Sequence, residues 1–389
     1  MKLAERITAV KPSATLAVNA KAQDMRAKGR EVISLAVGEP DFDTPEYVKR
    51  AIKEALDSGY TRYTAVQGLP EVRAAVAGYF NRHYGAQAVP EQVMVSNGGK
   101  QCLYNLLQTL IDPGDEVLIP APYWVSYPDM TVLAGGKPVV VPCSPDRGFE
   151  LTVSGLKDKL TARTKVLILN SPSNPTGRVH SQEKLEEIFA WAASREIFVI
   201  SDEIYDRLVY PPAEPVSLSR VWPKAECGLA VVNGLSKSFS TTGLRAGFVL
   251  APQEVIQAMA KLQGQSTSNV CAPVQKGIQA ALEGGEEFVD RMRVSLGRRR
   301  DKALEKIASW PEAVCHKPEG AFYLFPRLDR CLPDWPGSVH ICERVLEETG
   351  VALVPGEAFG DDSCVRISYA VQESTLDRAL DAVGSIVCK

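Results

Sequence analysis

The strongest constraint on the fold is a junction that recurs along the chain. A short apolar run ends in glycine, proline, serine or asparagine, and residues at helical spacing follow. "QVMVSNGGK" leads into "QCLYNLLQTLI", where Leu103, Leu106, Leu107, Leu110 and Ile111 fall on one helical face. "DEVLIPAPYW", "KVLILNSPSNPTG", "IFVISDEIYD" and "LAVVNGLSK" repeat the run and its loop. "SQEKLEEIFAWAASRE" reads as a helix between two of them, with Ser181 as its N-cap. Strands alternating with helices predict an α/β fold around a mainly parallel sheet. Ligands of such sheets gather at the carboxyl ends of the strands, where the unusual residues of this chain stand.

The pattern changes near Gly285. "EEFVDRMRVSLGRRRDKALEKIASW" reads as one long charged helix, followed by "GAFYLF", a helix "VHICERVLEETG" stopped by Gly350, and "CVRISYA". The expectation is a large domain over 41–285 and a smaller α+β domain made of 1–40 and 286–389. The 389 residues suffice for two cores. A net charge of −3 gives no basic footprint for nucleic acid. No apolar run is long enough for a membrane span. The nine cysteines and four histidines are scattered without metal spacing, which predicts reduced thiols, a cytoplasmic protein and no metal site.

The chemistry concentrates in "VVNGLSKSFSTTGLRAGF". Lys237 and Arg245 stand just past an apolar strand, among hydroxyl residues and glycines, with no acid in the segment. Ser96-Asn97-Gly98-Gly99-Lys100 is a glycine turn before a helix, able to offer backbone N–H groups to a phosphate. It is not a Walker loop, because Gln101 follows Lys100, and there is no G-x-G-x-x-G fingerprint. An arginine fork suits a phosphate dianion, and a lysine with depressed pKa beside it can form a Schiff base. That pairing suggests pyridoxal 5'-phosphate, which also needs a carboxylate at its ring nitrogen; Asp202, ending an apolar run, is the candidate.

With these residues in place, the chain resembles the class I, fold-type-I pyridoxal-phosphate aminotransferases of the aspartate aminotransferase family. The resemblance runs from "SLAVGEPDFDTP" to "VRISYA" and rests on "PYW", "NSPSNPTG", "SDEIYD", "NGLSKSF…GLRAGF" and "GAFY" in that order. It implies a large domain with a seven-stranded, mainly parallel sheet flanked by helices. It implies that Lys237 carries the cofactor, that Arg245 and Ser236 bind its phosphate with the backbone of Gly98, Gly99 and Lys100, and that Asp202 faces the ring nitrogen. Tyr205 and Asn174 resemble the donors to the phenolic oxygen, and Trp124 the aromatic stacked on the ring. Tyr63, in "TRYTAVQGLPEVR", resembles a tyrosine that reaches the neighbour's phosphate in a homodimer. Arg366 resembles the clamp on the substrate α-carboxylate, with Asn174 and the Gly38 backbone beside it. The Asn174–Pro175 bond is expected to be cis.

One subgroup of the family reads a distal carboxylate with an arginine of the neighbouring subunit, but "AKLQGQSTSNVCAP" has no arginine. Another carries "GGK" and "KPSAT", and this chain has both. Lys100, Ser13 and Thr15 are therefore the candidates for the distal carboxylate. The implied substrates are aspartate and glutamate with oxaloacetate and 2-oxoglutarate. Prephenate amination is the alternative, and an aromatic or kynurenine aminotransferase a more distant one. A non-enzymatic regulator on the same domain would carry a DNA-binding module, and the N-terminal segment leaves no room for one before the resemblance begins.

Overall fold

The computed structural model describes residues 3–10, 12, 14–222, 228–332 and 334–388. Its centre is a seven-stranded sheet. The strands are β2 (Val93–Asn97), β3 (Glu116–Ala121), β4 (Lys137–Pro142), β5 (Thr164–Asn170), β6 (Phe198–Asp202), β7 (Leu229–Gly234) and β8 (Ala246–Leu250). Their order is β2-β8-β7-β6-β5-β3-β4, and only β8 runs antiparallel to its neighbours. The inner strands are continuous apolar runs because both faces of the sheet are covered. Alternate residues feed two cores. Val166, Ile168, Ile200 and Val232 join Leu103 and Leu106 on one side. Leu167, Leu169, Val199 and Val231 join Leu185 and Ile188 on the other. At the edge, β4 exposes Lys137, Val140 and Pro142, and a lysine with prolines blunts pairing with another chain.

The expected helices form. Gly99–Leu110 buries Leu103, Leu106 and Leu107, but it stops at Leu110, and Ile111 is extended rather than helical. Gln182–Ala193 starts at Ser181, whose Oγ accepts the Lys184 N–H at 3.2 Å. The long charged helix spans Glu287–Ile307. Ser338–Thr349 ends at Gly350, whose φ of +73° closes the helix in the left-handed region.

The C-terminal residues build a smaller antiparallel sheet from β9 (Tyr323–Leu324), β11 (Val354–Pro355) and β12 (Val365–Ser368). The N-terminal strand β1 (Ile33–Ser34) pairs in parallel with β10 (Val351–Ala352). That pairing hands the chain directly into Val37–Gly38–Glu39, at the mouth of the central cavity. No helix among the described residues is long and apolar enough to cross a membrane.

Candidate active site

Register brings the polar strand ends together. Asn170 ends β5 directly beside Asp202 at the end of β6, and Lys237 lies three residues beyond β7. Arg245 precedes β8 instead of following it. Because β8 is antiparallel, its amino end lies on the same edge of the sheet as the carboxyl ends of the others. The resulting cavity, about 460 Å³, is lined by Gly38, Gly99, Lys100, Trp124, Asn174, Asp202, Tyr205, Ser236, Lys237, Arg245 and Arg366, together with Thr15. Most residues singled out from the sequence therefore meet at one place.

The glycine turn is fitted to Arg245. Gly98 is the N-cap of Gly99–Leu110 with φ +84°, and a Cβ there would stand 2.5 Å from Arg245 Nη2. Arg245 itself has φ +54° and donates from Nη1 to Thr242 O at 2.9 Å, leaving its guanidinium without a carboxylate among the described residues. A helix N-terminus beside an unpaired guanidinium is suited to a phosphate.

Lys237 Nζ donates to Gly38 O at 2.6 Å. Burial lowers its pKa to about 8, helped by Arg366 and Arg245 and opposed by Glu39 and Asp202. Acids thus do face the lysine; they come from other segments than the one that carries it. Asp202 accepts from Tyr127 Oη at 2.7 Å and from Ile204 N–H at 3.3 Å. Burial nevertheless raises its carboxyl to about 6, with Tyr127, Ile204 and Lys237 pulling the other way. A cationic ring nitrogen opposite this buried carboxylate would favour its ionised form.

Arg366, on β12, is buried. Its Nη1 donates to Asn174 Oδ1 at 3.0 Å and its Nη2 to Ala36 O at 2.6 Å, while Nε is buried with no partner. The guanidinium stacks on Tyr323 at 4.5 Å and Phe359 at 5.0 Å, which fixes its plane. It has no ion pair among the described residues, so a carboxylate would supply its missing counter-charge. Tyr205 Oη lies 2.9 Å from Tyr323 Oη. Lys100 carries its ammonium 4.9 Å from the Trp124 ring, and burial and then Arg245 lower its pKa. The Asn174–Pro175 bond is cis.

Gly98 and Tyr63 are not among the residues that line the cavity. Tyr63 is 91% exposed in the single chain. Ser13 lies outside the described residues, whereas Thr15 lines the cavity from the first turn of Ala14–Ala27. Among the liners that went unread in the sequence are Tyr127, Tyr323, Asn170, Glu39 and Thr242. Tyr323 stands inside "GAFY" and Tyr127 one helical turn after Trp124, so motif position was the available signal for both. Thr242 Oγ1 donates to Glu39 Oε1 at 2.7 Å, closing the rim beside Gly38.

The family profile described as "Aminotransferase class I and II" matches residues 30–383. The chain is 42% identical over 376 residues to the "Probable aspartate/prephenate aminotransferase" of Aquifex aeolicus, covering 96% of this chain and 95% of that one. It is 42% identical over 386 residues to an aspartate aminotransferase of Geobacillus stearothermophilus, covering 98% of each. Among solved structures, the aspartate aminotransferase from Thermus thermophilus with maleate superposes with a TM-score of 0.94 at 42% identity, covering 99% of this chain and 100% of that one. A profile match over most of the chain, full-length relatives and a shared fold agree with the cavity's chemistry: the chain belongs to the class I and II aminotransferases.

Proposed function

We propose that the protein is a pyridoxal-phosphate-dependent aspartate aminotransferase that moves the amino group of aspartate or glutamate to 2-oxoglutarate or oxaloacetate. The observation that carries the substrate assignment is the pair Arg366 and Lys100. Both cations line one cavity, and neither is paired with a carboxylate among the described residues. A dicarboxylic substrate neutralises both. Relatives bearing the aspartate and aspartate/prephenate names support the reading, and the latter favour prephenate as a further acceptor, since it too carries two carboxylates.

The residues fit the cofactor that the family uses. The N-terminus of Gly99–Leu110, Ser236 and Arg245 offer a phosphate site. Asp202 offers a buried carboxylate to a ring nitrogen, Tyr205 and Asn174 offer polar groups to a phenolic oxygen, and Trp124 offers a stacking face. Bound there, the cofactor supplies an electron sink for the bond broken at the substrate α-carbon and stores the amino group between half-reactions. Arg366 holds the α-carboxylate, and Asn174 orients it. Lys237 Nζ takes the α-proton and returns it, a task suited to an amine held at about 8. Lys100 and Thr15 receive the distal carboxylate at the rim. Ping-pong kinetics follow from storing the amino group on the enzyme.

The domain division at 41–285 belongs to the same proposal and is supported by the pairing of β1 with β10. So do the homodimer, with Tyr63 serving the neighbour, and a cytoplasmic setting in which the eight described cysteines stay free. The test compares kcat/KM for oxaloacetate, 2-oxoglutarate and prephenate with aspartate and glutamate as donors. Aspartate with 2-oxoglutarate is expected among the best pairs. A clear preference for aromatic or kynurenine donors would overturn the assignment. Borohydride treatment of the holoenzyme followed by peptide mapping should label Lys237; a label on Lys100 instead would reassign the lysine.

A further inference from the structure

Arg178 and Glu319 line a second cleft, of about 380 Å³, which shares no lining residue with the central cavity. Its other charged groups are largely accounted for. Lys184 binds Glu187 at 2.7 Å and only approaches Glu150, at 4.0 Å. Lys317 binds Asp301 at 3.1 Å. Arg178 has no ion pair among the described residues: Nη1 donates to Gly148 O at 2.9 Å, and Nε is buried without a partner. Glu319 has no cation among them either; its Oε2 accepts the Val179 N–H at 3.3 Å. An unpaired guanidinium and an unpaired carboxylate thus face one cleft without meeting each other.

We propose that this cleft is a second binding site, for a free α-amino acid in its zwitterionic form, with the carboxylate on Arg178 and the ammonium on Glu319. A simple anion would satisfy Arg178 but face Glu319 and Glu150. A simple cation would satisfy Glu319 but face Arg178. A zwitterion answers both, and the volume holds an amino acid.

Two features bear on the carboxylate end, the direction of Arg178 and a helix N-terminus. The Cβ direction of Gly148 points to a spot 3.1 Å from Arg178 Nη1 and 3.4 Å from His316 Nδ1, so the two side chains converge there. His316 Nε2 donates to Pro145 O at 2.5 Å, so the ring bounds this spot but in its neutral form offers a carboxylate no donor; Arg178 is the donor there. Ser181, the N-cap of Gln182–Ala193, stands in the same lining and adds the positive end of a helix dipole. His180 adds no charge at neutral pH, because burial, with Arg178 and Lys184, lowers its pKa to about 4.

The site spans two segments that also serve the central cavity. Gly177 O accepts the N–H groups of Glu319 and Gly320, both at 2.8 Å, stitching the segment that carries Asn174 to the one that leads into Tyr323. The assignment is independent of which substrate the central cavity takes.

The test is a calorimetric titration of the holoenzyme with L-proline, a zwitterion without the primary amine needed for transamination. Saturable binding is expected, retained in Arg366→Gln and weakened at least ~10-fold in Arg178→Gln and in Glu319→Gln, as loss of a charge-assisted contact implies. N-acetyl-L-proline, which keeps the carboxylate and lacks the ammonium, should bind wild type as weakly as proline binds Glu319→Gln. Cofactor absorbance checks that each variant is folded; should Arg178→Gln fail that check, the exposed Glu319 carries the test alone. The proposal is overturned by absence of saturable binding, by affinity indifferent to the cleft variants, by binding lost only with Arg366→Gln, or by N-acetyl-L-proline binding as well as proline.

Discussion

Burial acts in the same direction on two adjacent carboxyl groups at the end of β6, yet only Asp202 faces the central cavity. Glu203 points into the protein, where its Oε1 accepts Ser201 Oγ at 2.8 Å and the Leu218 N–H at 2.9 Å, and its Oε2 is buried without a partner. Burial raises its pKa from 4.5 to about 8. The folded chain therefore keeps a proton that the unfolded chain gives up across that window. This contribution to stability is complete below pH 4.5 and is lost as pH rises through about 8. Glu203→Gln keeps the acceptor and cannot ionise. Its unfolding free energy should match wild type at the acid end and exceed it at the alkaline end, by about 1 kcal/mol or more. Urea unfolding of the cofactor-free protein across pH measures this, and parallel curves for the two proteins would refute it. At the rim, Lys100→Ala removes a charge-assisted contact of about 1.5–3 kcal/mol, with water at the rim favouring the lower end. The ratio of kcat/KM for aspartate to that for alanine should fall about 10- to 150-fold, since each decade is worth about 1.4 kcal/mol. An unchanged ratio would make Lys100 a solvated lysine. Single residues were legible in the sequence where a charge follows an apolar run, as at Asp202 and Lys237, whereas Arg366 was legible only through the family resemblance. Tyr127 and Tyr323 were not, because a tyrosine among apolar neighbours resembles core. Their partners, Asp202 and Tyr205, lie 75 and 118 residues away.

At the scale of elements, the antiparallel β8 does what the sequence pattern least suggests. Strand–helix alternation predicts a parallel sheet, and six of the seven strands run one way. β7 and β8, however, are joined through the Lys237 loop without a crossover helix, so β8 must return antiparallel. That return sets Arg245 beside Gly98 and needs close backbone contact. A Cβ on Gly247 would stand 2.2 Å from Gly98 C and 2.3 Å from Gly99 N. Backbone cannot yield as a flexible side chain can. Gly247→Ala should therefore push the β2-to-helix turn away from Arg245, costing at least about 1–3 kcal/mol in stability, as overpacking does. Cofactor affinity should fall with it, because the phosphate donors and Arg245 would no longer converge. Denaturant unfolding and cofactor titration read the two effects separately. A variant with wild-type stability and affinity would show that the turn relaxes freely. The glycine turn and the "RAG" motif were both visible in the sequence. Their mutual contact was not, since pairing of Ser96 with Gly247 joins positions far apart in the chain.

At the scale of the whole molecule, Tyr63 remains to be placed. It is 91% exposed in the single chain and outside the cavity, so within one chain it is free to meet another surface. In a two-fold dimer the same patch meets its own copy, so Tyr63 of each chain can serve the site of the other. Hybrid dimers separate this arrangement from a purely structural role. One chain carries Tyr63→Ala with Lys237 intact; the other carries Lys237→Ala with Tyr63 intact. Homodimers of the second chain lack the lysine and should be inactive, and those of the first should bind cofactor weakly. In the hybrid, the site that keeps Lys237 receives an intact Tyr63 only if the tyrosine crosses the interface. Cofactor affinity at that site should then return to the wild-type value, and the hybrid should regain one working site of its two. If each site used its own Tyr63, the Lys237-bearing site of the hybrid would stay as weak as in the Tyr63→Ala homodimer. Placing both substitutions on one chain reverses the expectation. Paired with a wild-type chain, the doubly substituted chain leaves the Lys237-bearing site facing Tyr63→Ala across the interface, and cofactor affinity at that site should fall.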